Sequence, residues 1–129
     1  MMAVDTPDSA QAGHGLEFMD LLAYIYLQHG LPDKAAVLLS ARDLLVPDEP
    51  RALLTLALAR VRSAKPGKAL ETLERLAILG AMSAEFHLIR AQALHALERH
   101  AEAAGAMRAY VALLLSPSPS SPATPLPSA

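Results

Sequence analysis

At 129 residues, with 53% hydrophobic content and no cysteine or tryptophan, the chain can fill one small core but offers no thiol for a disulfide or a thiolate metal site. A formal net charge of −2 argues against general nucleic-acid binding, which needs a concentrated basic surface. The first fifteen residues are acidic without the apolar run of a secretory signal, and no later stretch is long enough to span a bilayer, so a soluble cytoplasmic protein is expected.

In chain order, residues 1–15 read as a disordered leader. The first helix is expected from Leu16 to His29, ended by Gly30, which takes a left-handed conformation without steric cost. Pro32 opens the second helix in its first turn, where a missing N–H is harmless, and Val46-Pro47 closes it. Asp48 is expected to cap a third helix that starts at Pro50 and ends at Ser63-Ala64. Lys65-Pro66-Gly67 restarts the chain as a fourth helix up to Leu79, with Gly80 as its stop. Ser83 reads as the N-cap of a fifth helix running toward Glu98; the turn over Glu98–Ala101 has neither Pro nor Gly, and the sixth helix covers Glu102 to Leu115. Connections this short make successive helices antiparallel neighbours. Residues 116–129, rich in Ser and Pro and poor in apolar side chains, are expected to be disordered.

Two small-residue positions recur at a constant step: Ala23, Ala57 and Ala91, and Ala35, Ala69 and Ala103, each 34 apart by number. The residues around them keep phase. Met19, Leu22, Ala23 and Tyr26, then Ala35, Leu39 and Pro47, follow the pattern of the tetratricopeptide repeat, which the chain resembles. The pattern loosens along the chain, with Arg60 at the aromatic position of the second unit and Arg90 at the leucine position of the third. The fold expected is all-α: three tandem tetratricopeptide-like helix hairpins over 16–115, with repeats at about 16–48, 49–82 and 83–115; a plain helical bundle is the alternative. The six alanines belong at helix crossings, where a larger side chain would force the axes apart. Leu22, Leu39, Leu45, Leu56, Leu73, Leu76, Leu79, Met107 and Leu113 are expected to fill the space between helices.

Nothing in the chain reads as a reaction centre. The histidines at 14, 29, 87, 95 and 100 lack metal-ligand spacing, and His95 and His100, astride a helix end, come nearest to one. There is no Gly-x-Ser-x-Gly, no thiol and no phosphate-cradling loop, so no catalytic residue, metal or cofactor is assigned. The local excess of base from Arg51 to Arg75, with Arg60, Arg62, Lys65 and Lys68 against Glu71 and Glu74, reads as solvated helix surface or as a patch for an acidic partner.

A stack of hairpins lines its inner face with the first helix of each unit. That face is expected to carry Glu17, Asp20, Tyr24 and Leu27, then Arg51, Leu54, Leu58, Val61 and Arg62, then Glu85, Leu88, Gln92 and His95. Its aliphatic centre suits an apolar or amphipathic segment better than a charged peptide terminus, unless Leu54, Leu58, Val61 and Leu88 are core. Tetratricopeptide arrays usually end in a solvating helix, whereas here Tyr110, Val111 and Leu114 pass straight into the Ser/Pro segment. That end is expected to meet a partner or a second copy of the chain.

The run Phe18-Met19-Asp20-Leu21-Leu22, then Leu27-Gln28-His29-Gly30, Ala35-Ala36-Val37-Leu38-Leu39 and Val46-Pro47, resembles the small tetratricopeptide chaperones of bacterial type III secretion, especially the YscY (SctY) group. Arg90 to Leu94 and Ala103 to Tyr110 extend that likeness. The resemblance implies a non-catalytic chaperone that holds a small export-apparatus partner (SctX-like) in the cytoplasm and engages the export gate at the inner membrane; a homodimer of the free chain is a separate expectation, from the uncovered last helix. Chaperones of type III translocator or needle proteins, and general tetratricopeptide scaffold subunits, are the alternatives.

Overall fold

The structure, a computed structural model, describes residues 5–116; the Ser/Pro-rich tail beyond Ser116 lies outside them. Its six helices are α1 (Asp5–Gln28), α2 (Pro32–Leu45), α3 (Pro50–Arg62), α4 (Pro66–Ile78), α5 (Ala84–Ala96) and α6 (His100–Leu115). The fold is all-α, and α1–α2, α3–α4 and α5–α6 are its three hairpins. Each first helix also meets the next, α1 with α3 and α3 with α5, whereas the backbones of α2, α4 and α6 stay apart. Hairpins meet mainly through α2 with α3 and α4 with α5; because first helices also touch one another and second helices do not, the stack curves, with α1, α3 and α5 on its inner face.

The first boundary differs from expectation. α1 starts at Asp5, well before Leu16, so the leader expected over 1–15 is helical from Asp5 onward. Pro7 sits in the first turn, where its missing N–H is tolerated, and Ala10, Gln11 and Ala12 favour helix. Gly13 and Gly15 each cost about 1 kcal/mol relative to alanine, which weakens this stretch without ending it.

The hairpin turns share one backbone design. Gly30, Ala64 and Glu98, 34 apart by number, all take positive φ, at 70°, 60° and 60°. After each, the next N–H reaches back to the helix end: Leu31 to Tyr26 at 2.8 Å, Lys65 to Arg60 at 2.8 Å and Arg99 to Leu94 at 2.9 Å. This is the Schellman arrangement, which satisfies carbonyls the helix leaves open. Gly80 ends α4 in the same way, with Ala81 N–H donating to Leu76 at 2.9 Å.

Helix starts follow the prolines and polar caps. Pro32, Pro50 and Pro66 each stand in a first turn. Ser83 accepts the Phe86 N–H at 3.3 Å, as expected. Asp48 does not cap α3; Glu49 does, accepting the Ala52 N–H at 2.7 Å. Asp48 instead has φ 61°, and its own N–H donates to Asp43 Oδ1 at 3.0 Å.

All six repeat alanines are buried. Leu39, Leu56, Leu73 and Leu76 belong to one core cluster with Leu53, Phe86 and Ile89, while Ala91, Leu94, Ala103 and Ala106 form a second cluster joined to the first through Leu70. The remaining large residues fall short of expectation. Leu22 is half-buried, and Leu45, Leu79, Met107 and Leu113 are exposed. Leu45 and Leu79 stand at helix ends, where the chain turns away from the core; Met107 and Leu113 lie on α6, which has no later repeat against it among the described residues.

Arginines tie the hairpins together. Buried Arg42 of α2 donates from Nε to Asp20 Oδ1 of α1 at 2.8 Å and from Nη2 to Oδ2 at 3.2 Å, leaving Nη1 without a partner. Arg75 of α4 reaches across to Asp43 of α2, at 2.9 and 3.0 Å, and also holds Asp48. Arg60 donates to buried Thr72, whose hydroxyl in turn donates to the Lys68 carbonyl at 3.0 Å. Arg60 and Arg75 are thus engaged inside the fold, whereas Arg51, Arg62, Lys65 and Lys68 are exposed.

Candidate functional site

The inner face is built around the first half of α3. Pro50 starts the helix and Glu49 caps it, which fixes where Arg51, Leu54 and Thr55 emerge. On one side, Arg51 and Leu54 line a groove of about 700 Å³ with Leu76, Gly80, Ala81, Met82 and Glu85. Gly80 has φ 76° at the end of α4, so the chain turns there and lays Ala81 and Met82 along the groove. On the other side, Arg51, Ala52 and Thr55 border a hollow of about 320 Å³ with Asp20, Leu21, Tyr24, Leu39 and Glu49. Arg51 borders both, and the two hollows that flank it make up an inner track in two parts, one against α1 and one against the α4–α5 turn.

The side chains named from the sequence are distributed unevenly. Tyr24 and Leu54 line the track, as do Asp20, Arg51 and Glu85. Leu54, like Leu58 and Val61, is also half-buried against the core, so each shows only part of its surface. Leu88 is half-buried further along α5. Leu27 is corrected: it is buried in the core, because the last turn of α1 is closed down on α2 by the Gly30 turn. Arg62, Gln92 and His95 are exposed but stand outside the track. Tyr110 is half-buried on α6, and Val111 and Leu114 are exposed there, at the far end of the stack. Leu21, Thr55, Ala81 and Met82 had no signal in the repeat pattern. Ala81 and Met82 belong to a turn, and turns carry no helical period.

Charges along the track are mixed, and its two engaged carboxylates are those of Asp20 and Glu49. Asp20 is held by Arg42, and Glu49 by the α3 cap. Behind the track, Arg75 holds the Asp43 carboxyl below its usual range through hydrogen bonds, and the Asp48 N–H that this carboxyl accepts lowers it further. Burial lowers the pKa of Arg60, with Arg75 adding to the shift. His87 is likewise pushed down by burial and by Arg90, which favours the neutral imidazole.

Among the described residues no three His, Cys, Asp or Glu side chains come together as a metal site would require. The His95 and His100 rings lie 5.1 Å apart, tilted by 59°. No described helix is long and apolar enough to cross a membrane. The track can therefore offer apolar contact, a guanidinium at Arg51, a carboxylate at Glu85 and the Tyr24 hydroxyl: chemistry suited to gripping a chain. A family model described as tetratricopeptide repeat matches residues 54–122, from the middle of α3 onward. No curated protein matches the chain.

Proposed function

This chain belongs to the tetratricopeptide repeat family, whose hairpins typically serve as non-catalytic protein-interaction scaffolds, and we propose that it is a chaperone holding an apolar segment of a protein partner in its inner track. The observation that carries the reading is the track itself. Leu21, Leu54 and Met82 give it apolar surface, and Arg51 and Glu85 give it polar edges. The finer reading rests on the likeness of Phe18–Gly30 and Ala35–Leu39 to the YscY group: a type III secretion chaperone that keeps a small SctX-like partner in the cytoplasm and presents it at the export gate.

Co-expression with an SctX-like protein tests both levels. The parent chain should co-purify with it, and Leu21→Asp with Leu54→Asp should abolish capture while the helical circular-dichroism signal persists. Capture that survives these changes would place binding elsewhere. Loss of helicity together with capture would mean that the leucines act as core. Failure of the parent to hold any SctX-like protein, while a segment of another partner still needs Leu54, would remove the secretion assignment and leave the scaffold.

A further inference from the structure

The two ends of the stack are complementary, because each reproduces one side of an internal junction. Between the second and third hairpins, Phe86, Arg90 and Leu94 of α5 line one cavity with Leu70, Leu73, Glu74 and Ala77 of α4. One repeat later, those α4 positions become Ala104, Met107, Arg108 and Val111. With Ala112 these line an open depression of about 480 Å³ on α6 that no described residue fills. Two repeats earlier, the α5 positions become Phe18, Leu22 and Tyr26 of α1. Leu22 and Tyr26 line a second depression of about 480 Å³ with Val37, Leu38 and Ala41 of α2, and the charged Asp33 and Lys34 also border it.

Burial here follows place in the stack, not residue type. Phe86 and Phe18 hold the same position in the repeat, yet Phe86 is 4% exposed against α4 and Phe18 is 61% exposed. Leu39 and Leu73 are each 1% exposed under the next hairpin, while Met107, their counterpart on α6, is 41% exposed. The ionic link across the first junction joins Asp43 to Arg75. Its counterparts at the two ends are Val111 and Ala41, so a junction made between the ends sets apolar against apolar there and strands neither ion.

We propose that these two faces bind each other: the head of a second copy, with Phe18, Leu22 and Tyr26, docks on the α6 tail of the first around Met107 and Val111, continuing the stack by another three hairpins. Such a contact is heterologous and leaves a free head and a free tail, so assembly is open and grows with concentration. A tail-to-tail dimer would cover the α6 face but leave the apolar head bare. Head-to-tail docking covers both. This inference is independent of what occupies the inner track.

Sedimentation of the full chain over a concentration series tests it. The tail variant carries Met107→Lys and Val111→Lys, the head variant Phe18→Lys and Val37→Lys; all four side chains are exposed, so helicity should hold and is checked by circular dichroism. The parent should gain average mass with concentration, and each variant alone should stay at protomer mass. An equimolar mixture of the two should yield a species of twice that mass and nothing larger, because one variant keeps a sound tail and the other a sound head. One variant that dimerises by itself would overturn the proposal in favour of like-to-like pairing through its untouched face, and a mixture that stays monomeric while the parent associates would overturn it too. A parent that never associates, or variants that associate as it does, would overturn it as well. Association that appears only when residues 117–129 are removed would mean that this segment, and not a second copy, occupies the α6 face.

Discussion

Glu98 holds a left-handed backbone conformation that costs an L-residue about 1 kcal/mol, and it does so where Gly30 opens the same turn two repeats earlier. The conformation is imposed by the Schellman hydrogen bonds of α5 and by the need to bring α6 back along it. Glu98→Gly should therefore raise unfolding stability by roughly 1 kcal/mol, read as a higher urea midpoint at unchanged slope. An unchanged midpoint would mean that the glutamate side chain supplies a compensating contact. Ala57 makes the opposite case. It is fully buried between hairpins, and Ala57→Leu should overpack the crossing and destabilise the fold by about 1–3 kcal/mol in the same assay. A variant as stable as the parent would break the assignment of Ala57 to a close crossing.

Between elements, the main charged link is Arg75 with Asp43, which spans α4 and α2 where their backbones do not meet. The Asp43 carboxyl has its pKa depressed in the folded state, chiefly by Arg75. A depressed carboxylate contributes stability that is fully present above its unfolded value, about 4, and is lost as pH falls through the lower folded value. Asp43→Asn should thus cost about 1 kcal/mol at pH 7, a modest figure because Arg75 is part-exposed. The same variant should lose less stability than the parent between about pH 4 and 2. Parallel acid curves for the two proteins would show that the pair contributes nothing on folding.

At the scale of the whole molecule, the inner track and the two end faces are separate surfaces. Leu54 lines the first, and Phe18 and Met107 belong to the ends, on opposite sides of the stack. Leu54→Asp should abolish partner capture and leave the concentration dependence of the mass untouched, whereas Met107→Lys with Val111→Lys should do the reverse. Cross-talk between the two readouts would imply that capture and self-association compete for one face.

The 34-residue step, the six helices and the burial of the repeat alanines were legible in the sequence, because helix period and the small size needed at a crossing are written in residue types. The left-handed turns at Ala64 and Glu98 were not, since neither residue prefers that backbone and only the return of the next helix enforces it. Nor could the pattern tell Phe18 from Phe86, or Leu73 from Met107, which hold equivalent repeat positions. Exposure at those sites depends on whether another hairpin lies against them. Leu27 shows the same limit from the other side: its place on a first helix suggested the inner face, and the closure of α1 on α2 put it in the core. Local sequence sets which surfaces can pack, and the order of hairpins in space decides which of them are left to meet something else.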